Sequence, residues 1–191
     1  MRFLIVGLGN PGAEYENTRH NAGFHAVDAL GEQLGVRYWK TKCGGLLATA
    51  LHGSNEIILL KPQSFMNVSG GPVKTAANLY DVQPDHIIVI HDEMDLDPGT
   101  VRIKRGGGHA GHNGLRSIHE KLGTGDYPRV RVGTGKPANS HKGANFVLAQ
   151  LRGAELQEFE DSCSQAAAAA LAIVDDGIDT AMNHINVRDK G

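Results

Sequence analysis

The chain has 191 residues, 40% of them hydrophobic and 21% charged, and its 19 Lys/Arg against 21 Asp/Glu give a formal net charge of −2. That length and balance suit one globular unit with a full core and exclude a disordered chain. No run approaches the ~20 apolar residues of a membrane helix, and the apolar part of MRFLIVGLGN is too short for a signal peptide, so a soluble, cytoplasmic protein is expected.

FLIV (3–6) reads as a buried strand, an apolar run closed by glycine. Behind it, Gly7, Gly9 and Gly12 spell G-x-G-x-x-G, the spacing of a dinucleotide-binding turn. That fingerprint needs a helix opening at its third glycine and an acid at the end of a second strand about 20 residues on. Here AEYENTRHN is polar and stripeless, no apolar strand ends in an acid near 32–40, and Pro11 removes an amide that a pyrophosphate would use. The glycines are therefore expected to shape a tight turn that presents Asn10 rather than to hold a cofactor.

Residues 22–35 have helical spacing, with Phe24, Val27, Leu30 and Leu34 on one side and Gly35 as the stop. Strand-like runs follow at 38–42, 46–52 and 55–62, with Gly44-Gly45 as a turn and Pro62 as a close. Residues 68–80 read as a helix and 86–94 as a strand ending in acids. TVRIKR (100–105) and YPRVRVGTG (127–135) alternate as half-exposed strands do. Between them GGGHAGHNG (106–114) is a glycine-rich loop and LRSIHEKLG a helix. Residues 153–184 are a helix pair or one broken helix. This alternation predicts an α/β fold: a single domain over 1–191, with a mixed central sheet flanked by helices.

Five side chains, four at element ends and His20 in a polar loop, can carry chemistry, and each has a plainer reading beside it. His20, in ENTRHN, is an exposed loop residue or a group that moves protons near neutral pH. Asp92, behind IIVI, is a cap or the carboxylate that fixes a histidine's tautomer. Asn67 and Asn113 suit helix N-caps, yet with Asn10 they are also amides able to grip a peptide unit or an oxyanion. Together the five point to a hydrolytic site. No G-x-S-x-G elbow is present, and Cys43 and Cys163 lie in no nucleophile, metal or redox motif, so they are expected as reduced thiols. Water activated by a histidine is then the attacking group. HDEMD (91–95) and HAGH (109–112) offer metal-ligand types, but neither has a zinc spacing and strand neighbours point to opposite faces, so no metal is expected.

Charge is unevenly spread. Residues 1–98 carry 7 Lys/Arg against 11 Asp/Glu (−4), residues 99–152 carry 10 against 2 (+8), and residues 153–191 carry 2 against 8 (−6). The basic middle is either a patch for a polyanion or a face neutralised by the acidic ends.

GLGNPG, YENTRHNAGFHAVD (15–28), KPQSFMNVSG (61–70), HDEMDLDPG (91–99) and GGGHAGHNGLRSI (106–118) stand in the order and spacing of bacterial-type peptidyl-tRNA hydrolases, and over roughly residues 1–185 the chain resembles that family. The resemblance implies the fold of that family and an enzyme that cleaves the ester between a peptide and the 3′-terminal ribose of tRNA, recycling tRNA released prematurely from the ribosome. It makes His20 the general base for water, with no covalent intermediate, no cofactor and no metal. Asp92 is the partner of that base, and Asn10 helps tell blocked peptidyl-tRNA from free aminoacyl-tRNA. By the same resemblance Tyr15, Phe65, Asn67 and Asn113 line the substrate crevice, while Lys104 and Arg131 hold tRNA phosphate. Peptidyl-tRNA is the implied partner of a monomer with no obligate protein partner and no membrane contact. Ser64 in place of a common threonine, and Ala110 in place of a glycine, are the departures, and neither touches a catalytic position. Two rivals remain at this point: a non-catalytic RNA-binding module built on the basic segment, and a nicotinamide-dependent oxidoreductase.

Overall fold

The computed structural model describes residues 1–139 and 142–186; the remaining seven positions of the expected 1–191 unit lie outside the described residues. Seven strands, β1 (Arg2–Gly7), β2 (Lys40–Lys42), β3 (Gly45–His52), β4 (Asn55–Pro62), β5 (Ile87–Glu93), β6 (Val101–Arg105) and β7 (Pro128–Gly133), form one sheet in the order β2-β3-β4-β1-β5-β7-β6. β1 pairs in parallel with β4 and β5, and β5 with β7. The β2–β3–β4 hairpins and the β6–β7 pair are antiparallel. The mixed α/β sheet expected from the sequence is the one observed.

Central strands are apolar on both faces because both faces are covered. Leu4, Ile5, Val6, Ile57 to Leu60 and Ile87 to Ile90 have no exposed surface. Phe3, Ile5, Leu59 and Ile90 pack under α1 (Ala22–Gln33), α5 (Gly153–Asp176) and α6 (Ile178–Ile185). Leu4, Val6, Leu60 and Val89 pack under α2 (Gly70–Tyr80) and α3 (Asn113–Leu122). A short α4 (Gly143–Val147), which no apolar period announces, closes the set. The C-terminal segment is the helix pair, broken at Gly177, whose φ of 82° is left-handed.

Two of the three opening glycines serve packing rather than turning, a correction to the tight-turn expectation. A Cβ on Gly7 would stand 2.0 Å from the carbonyl oxygen of Gly23, and one on Gly9 would meet the Phe24 ring at 2.7 Å. Gly12 alone of the three has a positive φ, 115°. The reciprocal contact is as close: a Cβ on Gly23 would lie 2.1 Å from the Leu8 amide. Helix α1 thus closes backbone against backbone on the end of β1. Gly23→Ala is expected to destabilise the fold by about 1–3 kcal/mol or more, read as a lower urea midpoint.

The chain leaves β1 toward the β2–β4 side of the sheet and leaves the neighbouring β5 toward the β6–β7 side, so the crevice opens at the carboxyl ends of β1 and β5, the usual ligand position in such sheets. Among the described residues no helix is long and apolar enough to cross a membrane.

Candidate active site

Asp92 is the second-last residue of β5 and is 4% exposed. A carboxylate so buried needs partners for both oxygens, and two histidines supply them. His20 Nδ1 lies 2.9 Å from Oδ2 and His112 Nε2 lies 2.8 Å from Oδ1. His20 comes from the helical turn Arg19–Asn21 just before α1, so the tight seat of α1 on β1 sets its height over the strand ends. His112 comes from the glycine-rich loop. The carboxylate therefore bridges two loops.

Hydrogen-bond chemistry fixes the tautomers. The amides of Gly114 and Leu115, at 3.1 and 3.3 Å, both donate to His112 Nδ1. That nitrogen must offer a lone pair, so the His112 proton sits on Nε2 and donates a hydrogen bond to Asp92. His112 is thereby the N-cap of α3, and Asn113, for which capping is the plainer sequence reading, is the first helical residue instead. His20 donates a hydrogen bond from Nδ1–H to Asp92 and keeps Nε2 as the free ring nitrogen at the cleft. A third imidazole, His91, donates through Nδ1 to the Asp92 carbonyl at 2.8 Å; its Nε2 is buried without a partner.

Electrostatics follow from this packing. Burial alone lowers the His20 pKa, but the charge and hydrogen bond of Asp92 outweigh it and raise the pKa above the ordinary 6.5. Burial alone raises that of Asp92, but His20 and His112 hold its carboxyl far below the usual carboxylate range. Burial, then His112, lowers His91 to about 3, which keeps it neutral.

The Asp92–His20 pair opens into a cleft of about 650 Å³ that Asn10, Phe65, Asn67 and Asn113 also line. Asn10 is clamped: its Oδ1 accepts from the Met66 amide at 2.7 Å, its own amide donates to Asn21 Oδ1 at 2.8 Å, and Asn21 Nδ2 returns a bond to its carbonyl at 3.0 Å. Its Nδ2 is left as the donor at the cleft. Asn67, in the turn Met66–Val68, and Asn113 are exposed on the wall, and Asn67 caps nothing: Ser69 holds the N-cap position of α2. Phe65 is 59% exposed, and with Met94 and Leu148 it gives the cleft an apolar shoulder. A polar floor beside an apolar wall suits a peptide with its side chains.

Not every expected residue meets there. Tyr15, half-buried in the turn Ala13–Tyr15, is not among the cleft-lining residues. Lys104 and Arg131 also lie outside it, on β6 and β7, where Lys104 faces Arg129 and Arg102 faces Arg131 across the ladder. Four cations so share one face of the sheet edge, with Glu93 3.8 Å from Arg131. Cys43 and Cys163 are free thiols, the latter buried.

One ligand atom each of His20, Asp92 and His112 lie within 4.8 Å of one another. HDEMD and HAGH, read as separate ligand sets, thus contribute one residue each to a cluster with His20. Every one of its short contacts is a donor facing an acceptor.

Residues 4–191 match the peptidyl-tRNA hydrolase family. The chain belongs to that family. It is 46% identical over 185 residues to the peptidyl-tRNA hydrolase of Nocardia farcinica, covering 96% of this chain and 95% of that one. With that of Mycobacterium tuberculosis it shares 44% over 185 residues, covering 96% and 97%. The crystal structure of peptidyl-tRNA hydrolase from Acinetobacter baumannii matches with a TM-score of 0.89 at 36% identity, covering 97% of this chain and 94% of that one. The family resemblance drawn from five motifs and the fold it implied are both borne out.

Sequence reasoning missed His112. It was read only as half of a metal-ligand pair, whereas its place immediately before a helix, two residues ahead of a glycine amide, was the available signal. Arg129 was also missed. In PRVRV it reads as an outward strand residue, yet it is 1% exposed.

Proposed function

We propose that this chain hydrolyses the ester joining a peptide to the 3′ end of tRNA, with His20 as general base and water as nucleophile. Family membership supports the substrate, and the buried carboxylate that holds His20 with one ring nitrogen at the cleft supports the chemistry. Asp92 accepts a hydrogen bond from the Nδ1–H of His20, so Nε2 presents a lone pair to water. As Nε2 takes the water proton, the imidazolium forms against the Asp92 charge, and the water oxygen attacks the ester carbonyl. Asn10 Nδ2 and the exposed amides of Asn67 and Asn113 are the donors for the oxyanion and the peptide backbone. Breakdown of the tetrahedral intermediate returns the proton to the ribose oxygen and frees peptide and tRNA.

Lys104 and Arg131, on the basic face beside the cleft, bind backbone phosphate of the tRNA in this reading, and affinity falls as salt rises. The protein works in the cytoplasm as a monomer and needs neither cofactor nor metal.

Release of the acyl group from N-acetyl-aminoacyl-tRNA and from free aminoacyl-tRNA, each with and without EDTA, tests this. Cleavage of the blocked substrate alone, unchanged by the chelator, is expected. Loss of cleavage with EDTA would turn the His20–Asp92–His112 cluster into a metal site. Salt-sensitive binding of tRNA with no cleavage by folded protein would favour the RNA-binding module.

A further inference from the structure

We propose that Arg129 is a positioning residue for this reaction: from beneath the glycine-rich loop its guanidinium sets the path that delivers His112 to Asp92 and Asn113 to the cleft. The proposal rests on the reading of the cleft given above. An arginine this deeply buried needs partners for its donors, and both terminal nitrogens of Arg129 have them, while its Nε has none among the described residues. Here Nη1 donates to the Gly108 carbonyl at 2.6 Å, and Nη2 donates to those of Gly107 and Gly125 at 2.6 and 2.7 Å. The guanidinium lies over the Tyr127 ring, 4.7 Å from its centroid.

Two neighbours complete the brace. His119 Nε2 lies 3.0 Å from the Gly107 carbonyl, and the Tyr127 hydroxyl lies 2.8 Å from His119 Nδ1. Burial, with Arg129 close by, lowers the His119 pKa, so its single N–H is given to Gly107 and the tyrosine hydroxyl donates to the other nitrogen.

The loop's own bonds lie at its far end, where the amides of Gly111 and His112 donate to His109 Nδ1 and the His109 carbonyl, so the Gly107–Gly108 end needs holding from outside. Gly106, Gly107, Ala110 and Gly111 all have left-handed φ values, 60°, 109°, 49° and 80°. Glycine resists ordering more than any other residue, and alanine in that region is strained. Gly107, Gly108 and Gly111 are exposed and bring no side chain to the core. Besides the Gly106 amide, which donates to the Tyr127 carbonyl, the ties to the rest of the fold among the described residues are the carbonyls that Arg129 and His119 grip at one end and the His112–Asp92 bond at the other. Lys104 leans on the same loop: a Cβ on Gly107 would stand 3.0 Å from its Nζ. Gly107 and Gly108 are exposed, so losing the brace is expected to cost geometry more than stability.

Lysine at 129 keeps the charge and has three donors, but they share one nitrogen, whereas Arg129 spans the three carbonyls from two. Steady-state kinetics on N-acetyl-aminoacyl-tRNA, with unfolding midpoints, are to be compared for the wild type, Arg129→Lys, His119→Leu and His20→Ala. Arg129→Lys is expected to lower kcat about tenfold to a hundredfold, with KM and its salt dependence close to wild type. Amide exchange at Gly111 to Leu115 is expected to quicken. His119→Leu, which removes one of the two grips on Gly107, should lower kcat in the same direction by less, and it decides the matter if Arg129→Lys does not fold. A raised KM with unchanged kcat would make Arg129 an RNA contact and overturn the proposal. A lower midpoint with unchanged kcat per folded molecule would make it structural only and overturn it as well. Full turnover by His20→Ala would overturn the reading of the cleft and this proposal with it, whereas an inactive His20→Ala beside unchanged kcat in Arg129→Lys would overturn the brace alone.

Discussion

His20→Ala is expected to lower turnover of peptidyl-tRNA by at least about 10²–10⁴-fold, the usual contribution of a positioned base. The ring is removed from a short turn at the cleft, not from the core, and its side chain is 16% exposed. Asp92 keeps its bond to His112, and water entering from the cleft can solvate the oxygen that His20 leaves. The unfolding midpoint should therefore stay near wild type while kcat collapses and tRNA binding persists. Near-normal turnover would remove His20 from the chemistry.

Asp92→Asn is expected to reduce kcat by about as much, through the wrong tautomer rather than a missing ring. A carboxylate accepts from two histidines at once, while an amide accepts with its oxygen and donates with its nitrogen. His112 cannot change tautomer without giving up both α3 amides on its Nδ1. The oxygen of the introduced amide therefore goes to His112, and its nitrogen faces His20 Nδ1, which must now accept. The His20 proton moves to Nε2, and the lone pair that should take a proton from water is gone. The variant should fold, since every donor still finds an acceptor. Replacing His112 by Gln in the same variant relaxes the tautomer lock, and partial recovery of kcat is the result that checks it.

How much was legible before the structure depended on whether the cause is local. The strands FLIV, EIILL and IIVI are plain because burial on both faces leaves no room for polar residues. The edges are less so: of the run 38–42 only Lys40–Lys42 pairs, since an edge strand is defined by its one neighbour. Asn10, His20 and Asp92 were visible because strand ends and polar loops in an α/β pattern mark the crevice. His112 was not, because its value lies in a bond to a carboxylate 20 residues away in sequence and in a cap that Asn113 was the better candidate to make on propensity. Arg129 was hidden for a related reason: an alternating strand predicts which way a side chain points, not what folds over it. Gly7 and Gly9 looked like a turn because their partners, Gly23 and Phe24, become neighbours only when α1 docks.

The pH dependence of kcat/KM in the wild type and Asp92→Asn, measured on N-acetyl-aminoacyl-tRNA, bears on the pairing of His20 with Asp92. Asp92 raises the His20 pKa above 6.5, and the base works only when unprotonated. In the wild type, activity should fall as pH drops through a value above 6.5. In the variant the charge is gone and burial alone acts, so the residual activity should hold to lower pH, with its acid limb below 6.5. An acid limb at the same pH in both proteins, or no acid limb in the wild type, would contradict a His20 base held by Asp92.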